Sequence, residues 1–343
     1  MLRKLKRLLR LYLDMLLLPL GWIVYIFSGA TPQWAGQSLI RLFCASGGRT
    51  NDVMARLVSV RFPPRKLDAE QGILPALSNT WLNNVADTLR NRGYFVFEQR
   101  VPDAVCDQLL DFALKQPAVL RPTDGQERTR HTGVYDPANP LAVSYDFQQN
   151  DLLNHPVVQS LMGDPAIVYV AQAYLQTQPV ADVVSMWWST AFSDRPDSES
   201  AQFYHFDMDR IKWLKFFIYL TDVSPQNGPH YFVARSHRTG GIPQELLAKG
   251  YSRHLDEDVA AHYRPADFIE FAAPRGTILA EDTRGLHKGQ HVQHGHRLLL
   301  QFQFSNSLFG PPYPKGTLRE IADPALSKMA QLQPRMLSGF NRG

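Results

Sequence analysis

Beyond residue 180 the chain breaks into short apolar runs rich in β-branched and aromatic residues: Val183–Trp188, Trp213–Leu220, Tyr231–Val233, Phe268–Phe271, Gly276–Ala280 and Arg297–Phe304. Turns bearing proline and glycine, Ser224–Pro229 and Ala273–Gly276 among them, separate the runs. Many short strands with such turns predict a double-stranded β-helix, or jelly roll, with helices packed on one side. Upstream the period is helical. Trp81, Leu82, Val85 and Leu89 mark a helix from Thr80 to about Asn91 that ends at Arg92-Gly93, and Tyr94–Phe97 follows as a strand. Asp103 then stands as the N-cap of a helix through Leu109, Leu110 and Phe112. Helical character returns from Pro156 to Leu175, and a short helix is predicted at Pro324–Leu332. Residues 121–150 are polar, proline-bearing and aperiodic, and predict a long loop of the kind that carries function. The chain therefore reads as α+β, with an N-terminal helical extension over 1–77, a jelly-roll domain over 78–310 and an irregular tail over 311–343.

The extension opens with a pattern of its own. Wound as a helix, Leu2, Leu5, Leu8, Leu9, Tyr12, Leu13 and Leu16 fall on one face, while Arg3, Lys4, Lys6, Arg7, Arg10 and Asp14 fall opposite. This is the signature of a basic amphipathic helix lying in a membrane interface, here over residues 1–27. Pro19 and Gly21 are expected to break the helix, leaving Trp22–Phe27 as a separate apolar patch. Asp14 and Pro19 argue against a spanning helix. Docking on the protein body, or a secretory signal cleaved near Ser28-Gly29-Ala30, are the alternatives.

Charge adds one exclusion. The first fourteen residues hold five basic side chains and one acidic, so the whole net charge of +4 resides there. The rest of the chain is balanced and carries no footprint for nucleic acid. Two scattered cysteines, Cys44 and Cys106, form no disulfide framework and favour a reducing compartment. At 343 residues the chain can bury one large core or two modest ones.

Two His-x-Asp tripeptides stand among the 11 histidines: His205-Phe-Asp207 and His254-Leu-Asp256. The second lies in the charged, helix-like stretch Arg253–Ala261 and reads as a solvated face. The first precedes a strongly apolar strand. On extended chain, residues i and i+2 point the same way, so His205 and Asp207 aim an imidazole and a carboxylate at one point while Phe206 turns away. A metal site wants a third ligand, and His287 follows the strand Gly276–Ala280. His291, His294 and His296 crowd behind it as competitors, and His287 taken alone reads more simply as a hydrogen-bonded loop histidine. Arg297 comes ten residues after His287 and opens the last strand, where pairing with an acid across the sheet is its plain alternative.

This series resembles the iron(II)- and 2-oxoglutarate-dependent oxygenases of the phytanoyl-CoA dioxygenase family. Gly93–Phe97 with Val101-Pro-Asp103, His155–Val158 with Leu161–Pro165, and Lys215–Pro229 with Ser236-His237 are similar to stretches of that family, over roughly residues 80–308. Ala234-Arg235 departs from it where a proline or arginine followed by glycine is usual. The resemblance implies a cupin-like fold in which His205, Asp207 and His287 hold Fe(II), Arg297 binds the far carboxylate of 2-oxoglutarate, and O2 is the oxidant. Two imidazoles and a carboxylate on one face leave open positions for such chemistry. It also implies hydroxylation, since a related halogenating site needs its carboxylate replaced by a small residue. The expected reaction oxidises a C–H bond of a small, lipid-like or acyl substrate. Around the ligands, Gln202, Lys215, Gln301 and Gln303 stand as backing or substrate-facing residues. His237 is expected to brace a turn, and Arg128, Arg130, His131 and Tyr135 of the long loop to help select substrate. The expected location is the cytoplasm, against the inner membrane face. The alternatives are a cupin-like metal sensor or degenerate family member, which would need neither Arg297 nor oxoglutarate, and a non-redox enzyme on the same fold.

Overall fold

In the computed structural model, which describes residues 2–66, 72–74, 78–121, 131–198 and 200–343, the alternating runs pair into two antiparallel sheets. Their strands are β1 (Tyr94–Val96), β2 (Ala118–Arg121), β3 (Thr132–Gly133), β4 (Ser144–Asp146), β5 (Val180–Thr190), β6 (Trp213–Tyr219), β7 (His230–Val233), β8 (Phe268–Phe271), β9 (Ile278–Glu281), β10 (His287–Gly289) and β11 (His296–Ser305). The larger sheet has the order β1-β9-β6-β11-β5-β4-β2-β3, and the smaller β10-β7-β8. The non-consecutive neighbours are those of a jelly roll. Period-two alternation divides its faces. Leu214, Phe216 and Ile218 of β6 and Leu298, Leu300, Phe302 and Phe304 of β11 join the core beneath the helices. Phe217, Tyr219 and Leu299 point instead between the sheets, onto Phe232 and Phe271 of the smaller one.

The helices are α1 (Leu2–Ser28), α2 (Gln33–Ser46), α3 (Arg49–Arg61), α4 (Asn79–Arg92), α5 (Asp103–Lys115), α6 (Gln149–Leu153), α7 (Pro156–Met162), α8 (Pro165–Leu175), α9 (Gln244–Leu247), α10 (Asp256–Ala260) and α11 (Pro324–Leu332). The stretch read as one helix over 156–175 is two, because Asp164 caps α8 on Ala166 N at 2.9 Å and Pro165 takes its first turn. Asp103 is the first residue of α5 and not its cap. The 121–150 region is not wholly loop. Residues 122–130, with Arg128 and Arg130, lie outside the described residues, and the rest supplies β3 and β4 to the sheet edge. The tail is likewise less irregular than its sequence suggests: Leu326, Met329, Met336, Leu337 and Phe340 enter the main core.

The N-terminal helix departs most from expectation. It runs unbroken through Pro19. A proline removes one helical hydrogen bond, and Trp22 and Tyr25 hold the second half in place by packing on Phe309, with ring centroids at 5.0 and 5.5 Å. The docked face is the one that carries Asp14. The carboxylate is buried and takes both forks of Arg41, from α2, at 2.8 Å, with Ser38 Oγ also at 2.8 Å. Burial opposes its charge, yet Arg41 and Ser38 hold the carboxyl below its usual range. The leucine face is left in solvent. Leu9 is 59% exposed, Leu16 73% and Phe27 87%. Asp14→Ala strands the Arg41 guanidinium, itself part-exposed, and is expected to cost about 2–3 kcal/mol in urea unfolding.

Candidate metal centre

The segment ahead of β6 is stitched to β10 by reciprocal backbone bonds, His205 N to His287 O at 3.0 Å and His287 N to His205 O at 2.9 Å. Asp207 N adds a bond to Thr283 O at 2.8 Å. This extended pairing sets His205 and Asp207 on one side, facing His287 across the ladder. Phe206 turns away and stacks on Phe43 of α2, with centroids at 5.5 Å. His205 Nε2 lies 3.7 Å from one carboxylate oxygen of Asp207, and His287 Nε2 lies 3.4 Å from the other. One donor atom from each residue falls within 4.8 Å of the others, and among the described residues no other group of three is so placed.

The tautomers suit a metal. His205 Nδ1 faces Phe203 O at 2.9 Å and His287 Nδ1 faces Gly285 O at 3.0 Å. Each carbonyl takes the Nδ1 proton, which leaves both Nε2 lone pairs bare and aimed inward. Burial, then the neighbouring His287, push the His205 pKa well below its ordinary value. Burial works against the Asp207 charge, but the Lys215 ammonium and His287 hold the carboxyl well below the usual range. The site thus combines two imidazoles with one carboxylate, a donor set that fits a divalent transition metal.

A cavity of about 290 Å³ opens from the three ligands between the sheets. Arg297 lies in its wall, buried, with Nη2 3.3 Å from Ser189 Oγ and Nη1 donating to Gly228 O. Its Nε has no partner, and no carboxylate pairs with the guanidinium among the described residues. Burial pulls its pKa down. A buried cation held without an anion is costly, so the wall is shaped for an acidic ligand.

The remaining sequence candidates separate. Lys215 reaches the cavity, and its anions are Asp207 at 2.6 Å and Asp209 at 3.1 Å. Gln301 lines the cavity with its amide unbonded among the described residues. Gln303 does not reach it: buried one step along β11, it donates to Asp182 at 3.3 Å. Gln202 is likewise structural, its Oε1 accepting from Asp197 N at 2.6 Å to close the turn before His205. Of the rival histidines, His291 bonds Ser193 O at 2.6 Å and His296 packs on Trp188 with centroids at 5.1 Å. His237 contacts Arg90 O at 3.1 Å and stays clear of the metal cavity. His254 is buried, not on the solvated face its surroundings suggested, because Tyr204 O holds its backbone N at 2.8 Å. Arg235, at the departure from the family pattern, adopts φ +69°, the left-handed region that glycine enters without cost.

One residue escaped the sequence reading. His230 opens β7 and faces the cavity, its ring stacked on that of His287 with centroids 5.6 Å apart. Its Nε2 is 2.8 Å from Glu281, whose carboxyl burial pushes up to about 8. The signal was its alternation with Phe232, which points between the sheets.

EctD from S. alaskensis, solved with bound Fe, is similar at 18% identity and a TM-score of 0.50, over 82% of this chain and 98% of that one. HygX from Streptomyces hygroscopicus, solved with nickel and 2-oxoglutarate, is 15% identical with a TM-score of 0.48, over 68% of this chain and 89% of that one. The epimerase SnoN from nogalamycin biosynthesis gives 16% identity and a TM-score of 0.44, over 66% of this chain and 84% of that one. A search of curated proteins gives no match. The family model for phytanoyl-CoA dioxygenase matches residues 89–293, a span that holds His205, Asp207 and His287 and stops just short of Arg297. The chain belongs to the phytanoyl-CoA dioxygenase family of oxygenase-type enzymes.

Proposed function

We propose that this protein is an Fe(II)- and 2-oxoglutarate-dependent hydroxylase acting on a C–H bond of a small, lipid-like or acyl substrate. The observation that carries the reading is Arg297, buried without an anion in the same cavity as the three ligands. Ferrous iron and oxoglutarate, when bound, supply the oxidation: O2 is consumed, the substrate gains a hydroxyl, and succinate and CO2 leave. His205, Asp207 and His287 would hold the metal through their free Nε2 and carboxylate atoms. Arg297 offers its planar fork to the far carboxylate of oxoglutarate. Gln301, Ser185 and Trp187 line the remaining wall and are available to substrate. Retention of Asp207 as a ligand supports hydroxylation over halide transfer. The test is an anaerobic Fe(II) titration with and without 2-oxoglutarate, followed by succinate formation in air. The expected result is a weak visible band that needs both components, then succinate. Metal binding without any response to oxoglutarate would instead describe a jelly roll that does not turn over.

A lipid-like substrate gains support from α1. Its leucine face is in solvent while its acid-bearing face is docked, and Lys6 and Arg10 are exposed on the same helix. An apolar face flanked by cations suits the inner surface of an anionic membrane. Replacing Leu9, Leu16 and Phe27 together by glutamine touches no docking contact. It is expected to lower partitioning onto anionic vesicles by about tenfold or more, with oxoglutarate turnover in solution unchanged. Equal partitioning of the variant would remove the membrane from the proposal.

A further inference from the structure

A second cavity, of about 510 Å³, lies among α3, α4, α8 and the turn after β7, and shares no lining residue with the metal cavity. Arg56, Arg90, Lys212, Arg238 and Arg284 line it against one carboxylate, Asp52. Two of these cations are already engaged. Arg284 grips buried Asp282 at 2.6 Å and reaches Asp52 at 3.0 Å. Arg90 pairs with Asp87 at 2.7 Å. The side chains of Arg56, Lys212 and Arg238 have no carboxylate partner among the described residues.

Lys212 is the most informative of the three. It stands just before β6, its Nζ 4.3 Å from the centre of the Tyr174 ring and 3.5 Å from the Tyr174 carbonyl. Burial, then the nearby Arg284, push its pKa down to about 8. The ammonium makes no direct ion pair, and the charges of Asp282 and Asp52 only partly offset its burial, so a further anion in the cavity would stabilise it. The rim has a second character. On α3, Asp52, Ala55, Arg56 and Ser59 face the cavity, while Val53, Leu57 and Val60 on the adjoining face are 52%, 61% and 82% exposed.

We propose that this cavity binds a phosphate group, held by Arg56, Lys212 and Arg238. Two guanidinium forks and a point charge match a dianion with three acceptor oxygens. The phosphate can arrive as a free phosphate or as a lipid headgroup, the apolar rim of α3 serving the second. This inference is independent of the oxygenase reading. The test is calorimetric titration of the full chain at fixed ionic strength with two probes, inorganic phosphate and dihexanoyl phosphatidic acid below its micelle concentration. One equivalent is expected to bind, and both Lys212→Met and the double variant Arg56→Gln/Arg238→Gln are expected to weaken it by about tenfold or more. The Tm of both variants should match that of the wild type, which reports that the fold is intact. Tighter binding of the short-chain lipid, lost in Leu57→Gln, assigns the headgroup; equal affinities assign free phosphate. No binding of either probe, or binding that both charge variants leave untouched, overturns the proposal.

Discussion

Asp207→Asn is expected to leave the protein folded and to remove its metal-dependent turnover. The amide matches the carboxylate in shape, and Lys215 keeps Asp209 as an anion at 3.1 Å, so no buried cation is left alone. What disappears is the single negative charge among the three inward donors. Loss of a group that merely orients a ligand lowers metal affinity or activity by roughly 10–100-fold; loss of the ligand itself should exceed this. Anaerobic Fe(II) titration and succinate formation measure the effect, with thermal unfolding as the control. Unchanged turnover would shift the ligand role toward His230, the other imidazole of the cavity.

Arg297→Met separates binding from stability with opposite signs. In the wild type the guanidinium is buried without an anion, so an apolar side chain of similar length should leave the unliganded protein as stable or more stable. The same change should raise the KM for oxoglutarate by about 30-fold or more, the loss of a buried charge-assisted pair being worth roughly 2–5 kcal/mol. Oxoglutarate should raise the Tm of the wild type and not of the variant. Arg297→Lys keeps the charge and loses the fork, and should fall between the two. 2-Oxobutyrate, which lacks the far carboxylate, closes a thermodynamic cycle: wild type should discriminate strongly against it, and Arg297→Met should not. If Arg297→Met lowers stability and leaves KM alone, the residue is a structural partner of Gly228 and Ser189 only.

The candidate metal site was legible because its chemistry rides on strand alternation. His205 and Asp207 are two residues apart on extended chain, and Arg297, Leu299 and Gln301 follow the same rule along β11. Gln303 obeyed the rule too, yet Asp182 on β5 captures its amide beside a register shift between Gln303 and Phe304. Alternation gives a side, and cross-strand neighbours decide what is reached on it. Gln202 spends its amide oxygen on closing the turn before His205. The two- and three-residue strands β3 and β4 have no period to read; β4 exists because β5 offers it an edge, and β3 because β2 does. In α1 the helical period identified both faces but not which would dock. The buried acid with its two partners on α2 settles that, and Arg41 lies 27 residues away in sequence.

Phe206, the residue between His205 and Asp207, belongs to the hydrophobic cluster formed with α1, α2 and α3. The wall that carries the candidate ligands is therefore shared with the helical extension, much as one partition serves two rooms. A pull on α1 or α2 bears on Phe43 and through it on the backbone that aims His205 and Asp207. Trimming the chain to its jelly roll would uncover the back of that partition and loosen the ligands, although none of the removed residues touches the metal cavity.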